Sequence, residues 1–407
     1  MRLLHNQIQP YPWGSPTAIA ELTGRPNPGN GPQAELWMGA HPAAPSSVDS
    51  DQGPVSLAEV IAADPDGQLG PGTLKRFGPR LPFLLKVLAA GKALSIQLHP
   101  DRDRAEAGFA AEEARGLART APERVYVDDW PKPEVLCALT PFEVLAGLRP
   151  AADAARALAG LAVPALEHLV AELLADPRPA TVAVVLARLL DWPGAQRAEL
   201  VGQVVAAATE ASAEPGDFAG AYDAVRRMSA DHPGDIGLVC SLLLNHLVIE
   251  PGQVLFMGAG GVHAYIRGTG VELMASSDNV IRAGLTGKHI DVPELLRVLD
   301  PAVPVPVLTA RAESAGVEVF DTPVPEFRLR RIVVGAGTGA EDEAGRTVAV
   351  PGDGEPRILL CVEGEAHVRH ADETLTLPKG ASCFLPAEDD AVSVSGPATL
   401  FLASPGL

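Results

Sequence analysis

The chain has 407 residues, 47% hydrophobic and 20% charged, which excludes wholesale disorder and exceeds what one hydrophobic core holds. Asp and Glu number 51 against 32 Lys and Arg, a formal charge of −19, so general affinity for a nucleic-acid backbone is excluded. An anionic ligand would need a local cluster of positive groups. Four widely spaced cysteines (Cys137, Cys240, Cys361 and Cys383) read as buried thiols in a reducing compartment. No signal-type run opens the chain and no stretch reaches about 18 apolar residues, so the expectation is a cytoplasmic protein that spans no membrane.

The chain then divides by texture. From Met1 to about Pro150, glycine and proline interrupt short apolar runs such as LPFLLKVLAA (Leu81 to Ala90), which predicts the short strands and turns of a barrel or sandwich. Within this part lies Gly91-KALSI-Gln97-Leu98-His99-Pro100. Residues two apart on a strand share a face, so Gln97 and His99 project together while Leu94, Ile96 and Leu98 point the other way. Further on, Pro131-Lys132-Pro133-Glu134 offers a carboxylate, although nothing local joins Glu134 to His99. From Ala151 to about Leu247 the runs are rich in Ala and Leu at 3–4 spacing, with prolines such as Pro164, Pro193 and Pro233 near their starts. Five or six helices are predicted there. Strand texture returns at IEPGQVLFMGAGGVHAYI, a short helix is expected over Val292 to Asp300, and the tail from about Val317 reads as strands again.

Two of these segments resemble the paired motifs of cupins. Gly91 through Gln97 to His99 follows G-x5-H-x-H with Gln in the leading His place, and Gly252 through Gly258 to His263 follows G-x5-P-x-G-x2-H with Gly for Pro. A cupin is a double-sheet jelly roll whose inward residues can surround one metal. Gln97, His99, Glu134 and His263 would present two nitrogens and two oxygens, a donor set that suits Zn2+. In the tail, Gly380 through Pro386 repeats the second spacing, but Glu388 and Ala391 stand where Gly and His would be. His367 and His370 are three apart on one strand and face opposite ways, so the tail reads as a second cupin without a metal. Any one of these residues alone has an ordinary structural explanation; their order along the chain is what carries weight. His41 is read as structural or supporting, and His168 and His246 as belonging to helical faces.

Taken together, SIQLHPD, PKPE, GVHAY and MASSDNVIRAGLTGK, with PYPWG and AELWMGAHPAAPS upstream, resemble the type I phosphomannose isomerases from roughly Tyr11 to Asp300. The resemblance implies a mainly β protein of two cupin jelly-roll domains with an all-α helical insert. The catalytic cupin would be discontinuous (1–150 and 248–316), the insert would be 151–247, and a C-terminal cupin-like domain without ligands would be 317–407. It implies interconversion of mannose 6-phosphate and fructose 6-phosphate, with one Zn2+ per chain held by Gln97, His99, Glu134 and His263. It also implies a catalytic Arg282, with Ser95, Lys132 and Lys288 lining the sugar-phosphate site. Three departures fall in loops: Pro131 before the lysine, Gly287 in GLTGK, and GAGG where PAG is usual.

The chemistry fits these residue types. Moving a proton between C2 and C1 through a cis-enediol needs an acid/base group and positive charge near the developing oxyanions. A redox-silent metal can polarise the carbonyl. Glu272, Asp278 and Lys132 are the candidates for the proton shuttle and for substrate contact, none of them ranked above the general role of Arg282. The lysines of the motif segments, Arg282 and Arg267 are the candidates for a phosphate clamp. Two other readings compete: an Fe-dependent cupin dioxygenase, against which the Gln ligand and the basic clamp argue, and a non-catalytic sugar-phosphate-binding cupin, against which the intact ligand set and Arg282 argue. The expected partner is a small-molecule sugar phosphate, with no nucleic acid and no membrane, and a monomer is favoured.

Overall fold

The structure, a computed structural model, describes residues 1–335 and 347–407; the part of the tail between these ranges lies outside the described residues. Two separate antiparallel strand systems form its framework. The first runs in the order Val307–Leu308, Val254–Met257, Glu134–Ala138, His263–Ala275, Phe83–Ala90, Glu35–Met38 and Gln7–Gln9. The strand His263–Ala275 is long enough to serve two sheets. Its C-terminal half pairs with Phe83–Ala90 and Glu134–Ala138, and its N-terminal half with Ile96–Leu98 and Phe142–Leu148. The register shifts between Tyr265 and Arg267, next to Gly268 at φ +142°, and there the strand turns from one sheet to the other. The second system contains the tail strands, joined at one edge by Arg2–Leu3, which pairs with Phe384 and Cys383.

Alternation explains how the run LPFLLKVLAA works. Phe83, Leu85, Val87 and Ala89 point outward and pack against Phe320, Leu329, Ile358, Leu360 and Phe401 of the tail, in one shared apolar cluster. Leu84, Lys86, Leu88 and Ala90 point the other way, into the first strand system, where Leu88 and Ala90 pack with Leu136, Phe142 and Tyr265. A lysine within an apolar run therefore lies at an interior position.

Residues 151 to 243 form helices, among them Ala151–Ala159, Glu167–Ala175, Pro179–Leu190, Gly194–Ala211 and Ala219–Met228. They share a buried cluster with Ile96, Leu98, Leu145, Val262, Ala264, Ile266, Ile281 and Ala283. The helices thus cover the outer face of those strands, and the alternate residues, Gln97, His263 and Arg282 among them, are left for the other face.

Two expectations about elements are corrected. The Met1 to Pro150 part is not only strands and turns, because it holds helices at Leu57–Ala63, Pro65–Phe77 and Arg102–Ala114. Ser56 and Glu59 form a reciprocal capping box, and Asp64 and Asp101 cap the other two helices, which outweighs the glycine and proline that argue for turns. Leu244–Ile249 is a strand paired with Phe142–Leu148 rather than the end of a helix, so His246 is a strand residue. It bonds Glu143 through Nε2 at 2.7 Å. No helix among the described residues is long and apolar enough to cross a membrane.

Candidate active site

Three elements bring the predicted ligands together. His99 follows the strand Ile96–Leu98, Glu134 opens Glu134–Ala138, and His263 opens the long strand. Their ligand atoms lie within 4.8 Å of one another, and all three side chains are buried. His99 Nε2 is 3.4 Å from Glu134 Oε1, and His263 Nε2 is 3.3 Å from Glu134 Oε2. The other ring nitrogens are committed: His99 Nδ1 donates to the carbonyl of Asn279 at 2.8 Å, and His263 Nδ1 donates to that of Gly261 at 3.0 Å. That fixes each ring with its Nε2 lone pair facing the carboxylate. His99 Nε2, His263 Nε2 and Glu134 Oε2 accordingly have no hydrogen-bond partner although buried. Three lone pairs aimed at one point, with no proton between them, suit a divalent cation.

The electrostatics agree. Burial pushes the His99 imidazole down to about 4, so the ring is neutral at working pH and able to ligate. Burial alone would raise the Glu134 carboxyl, but the positive charge of Lys132 outweighs it and holds Glu134 well below the usual carboxylate range. Lys132 Nζ stands 2.9 Å from Glu134 Oε1.

Gln97 joins the site by register. It is the cross-strand partner of His263 on one side and of Arg282 on the other, so His263, Gln97 and Arg282 form a row across three strands on one face. Ser95 Oγ is 3.5 Å from Gln97 Oε1. Lys288 is exposed, and the positive charge of Arg282 lowers its pKa, which places the two cations near each other. Asp278 is at the surface and faces His41 Nε2 at 3.3 Å. Arg267 is exposed on the long strand opposite Glu143, and Lys92 is paired with Asp231 at 2.7 Å, so neither adds to this row.

Glu272 lies deeper, in a group that the sequence left unassembled. Lys86 and Glu272 are cross-strand partners, with Nζ 3.3 Å from Oε2, and Lys86 also faces Glu35 at 3.5 Å. Tyr265 donates its hydroxyl to Glu272 at 2.9 Å, and Trp37 donates Nε1 to Glu35 at 2.6 Å. Burial would lower the Lys86 pKa, but Glu35 and Glu272 raise it, so the ammonium stays charged. Burial raises the Glu272 carboxyl to about 7 against the opposing pull of Lys86. The signal available in the sequence was Lys86 itself, a charge at an interior-facing position of an otherwise apolar strand.

Comparison with known proteins agrees with this geometry. A family model described as phosphomannose isomerase type I, catalytic domain, matches residues 1–151, and one for the mannose-6-phosphate isomerase cupin domain matches residues 346–405. The mannose-6-phosphate isomerase of Salmonella typhimurium is 38% identical over 399 residues, covering 97% of each chain. The chain belongs to the type I phosphomannose isomerase family. A relative from Bos taurus with the same description is 31% identical over 412 residues, covering 94% of this chain and 92% of the relative. A solved structure of a phosphomannose isomerase mutant from Salmonella typhimurium superposes with a TM-score of 0.90 at 35% identity, with both chains fully covered. Another, of mannose 6-phosphate isomerase bound with zinc and yttrium, gives 0.89 at 36% identity, again over both whole chains.

Proposed function

We propose that the chain interconverts mannose 6-phosphate and fructose 6-phosphate with one Zn2+ held by His99, Glu134, His263 and Gln97. The observation that carries the reading is the trio of buried, unpartnered ligand atoms directed at one point. Bound there, zinc would act as a Lewis acid that polarises the sugar carbonyl. Arg282, beside Gln97 in the row, offers a planar set of donors to the charge that grows on the enediol oxygens. Lys132 keeps Glu134 ionised and adds positive charge, and Lys288 with Arg282 supplies the anion clamp at the mouth. Glu272, with both oxygens engaged by Tyr265 and Lys86, holds the Lys86 ammonium inside and takes no direct part in proton transfer. That leaves Asp278 and Lys132 as the candidates for moving the proton between C2 and C1. The proposed architecture is two cupin jelly rolls, 1–150 with 248–316 and 317–407, and an all-α insert at 151–247, in a cytoplasmic protein. A coupled assay on mannose 6-phosphate, with metal analysis of the purified protein, tests the reading; no turnover with the metal present would overturn it.

A further inference from the structure

We propose that Asp235, which belongs to the helical part and touches none of the predicted ligands, is a positioning residue for the substrate end of the site. Its carboxylate accepts three backbone N–H groups: Oδ1 from Gly237 at 2.6 Å and Leu285 at 3.1 Å, and Oδ2 from Thr286 at 2.9 Å. The turn it holds is one the chain would not choose unaided. Leu285 is a buried, non-glycine residue at φ +52°, a conformation L side chains avoid. The two backbones meet so closely that a Cβ on Gly284 would fall 2.6 Å from Gly237 Cα, and one on Gly237 would fall 2.4 Å from Leu285 N.

This turn joins the strand carrying Arg282 to Lys288, whose backbone N–H donates to Thr286 Oγ1 at 3.1 Å. The residues just before Asp235 grip the opposite rim. Asp231 pairs with Lys92 at 2.7 Å, and His232 Nε2 donates to the carbonyl of Ala93 at 3.2 Å, just before Ser95 and Gln97. The segment Asp231 to Asp235 therefore ties together the two chain segments that carry Arg282 and Lys288 on one side and Ser95 and Gln97 on the other. A misplaced anion clamp weakens binding more than chemistry, so the consequence falls mainly on KM. The inference rests on the reading that Arg282 and Lys288 face the substrate.

The test combines Asp235→Ala, Asp235→Asn and Gly284→Ala with Lys288→Met, using steady-state kinetics on mannose 6-phosphate, zinc content, and hydrogen exchange of a peptide spanning Leu285 to Lys288. Asp235→Ala should raise KM about tenfold and speed exchange at Leu285 and Thr286, with zinc content unchanged. Asp235→Asn keeps one acceptor oxygen and should fall between; it carries the same readouts should Asp235→Ala fail to fold. Gly284→Ala should reproduce the phenotype by pushing the same turn off Gly237. In a Lys288→Met background, Asp235→Ala should raise KM by less than about twofold, because the group it positions is gone. Kinetics within about twofold of the parent in Asp235→Ala and Asp235→Asn alike, or unchanged exchange in both, would overturn the proposal. If Lys288→Met alone leaves KM unchanged while Asp235→Ala lowers kcat, the Lys288 reading falls and Asp235 stands as acting through Arg282.

Discussion

The two strand systems share several backbone features and put them to opposite ends. Each has a long strand that passes between sheets at a register shift beside a glycine: His263–Ala275 with Gly268 at φ +142°, and Arg357–His370 with Gly364 at φ +74°. The glycine opening the second motif takes the same turn in both, φ +86° at Gly252 and +83° at Gly380. In each, a four-residue strand follows, Val254–Met257 or Ser382–Leu385. Beyond that strand the two diverge. The first reaches His263, which faces Glu134 and lies beside His99, and buries Lys86 and Glu272 in the same interior. The second encloses Leu359, Cys361, Val368, Leu377, Val394 and Leu400, and Arg357 donates to the carbonyls of Pro351, Asp389 and Asp390 around the corresponding loop.

The difference lies in where unpartnered polar atoms gather. In the tail the enclosed cluster is apolar, and Arg357, though its Nε has no partner, gives its other nitrogens to three carbonyls. In the first system three buried ligand atoms lack partners, and a lysine sits among carboxylates. Such an interior costs stability until a cation fills it, so the two systems should respond oppositely to metal and to mutation.

The largest expected effect is loss of a ligand. Glu134→Ala should release zinc and lower kcat/KM by at least about a thousandfold, since the metal and its polarising role go together. Metal analysis with kinetics checks it, and an active, zinc-free variant would break the contrast between the two interiors. Next is Arg282→Lys, expected to lower kcat about a hundredfold with zinc content unchanged, because a lysine cannot reproduce the guanidinium's fork of donors. Loss of zinc in that variant would place Arg282 among the groups that build the metal site instead.

Leu400→Ala sharpens the comparison from the other side. Leu400 is fully buried in the tail's apolar interior, so the substitution should cost about 2–5 kcal/mol in denaturant melts. Zinc content and kcat, measured well below the melting temperature, should match the parent. A smaller contribution comes from His99 in the metal-free protein. Its folded pKa, about 4, lies below the ordinary 6.5, so as pH falls through that window the unfolded chain takes up a proton the folded chain refuses. Stability should drop by roughly 3 kcal/mol between about pH 6.5 and 4, and His99→Gln should remove that part of the slope.

What the sequence made legible follows the same division. The metal trio was readable because motif spacing, strand alternation and resemblance converge on His99 and His263, and the order of motifs brings in Glu134. The Lys86–Glu272–Glu35 group was not, because its members come from three strands and only the register of Glu272 opposite Lys86 joins them. The helices at Leu57–Ala63 and Pro65–Phe77 were hidden by glycine and proline, although the Ser56-x-x-Glu59 box announced the first. Leu244–Ile249 was lost inside an apolar run where period 2 and period 3.6 cannot be told apart. Asp235 carries no sequence signal of its role: an aspartate before a short helix is an ordinary cap until the fold sets Leu285 and Thr286 against it.

The smallest expected effect is a deliberate null. Ala391→His restores to the tail the residue whose place His263 holds in the first system. A ligand-like histidine is not a site, however, since zinc needs three or four donors converging with their other atoms held. Ala391 is exposed at the edge of Val392–Ser395, the neighbouring interior offers leucines and valines, and the carbonyls of Asp389 and Asp390 are already taken by Arg357. Zinc in the purified variant should therefore stay at about one per chain, with kcat and melting temperature unchanged. A second tightly held zinc would mean that the shared backbone, and not the partnerless atoms of His99, Glu134 and His263, is what makes a cation site in this fold.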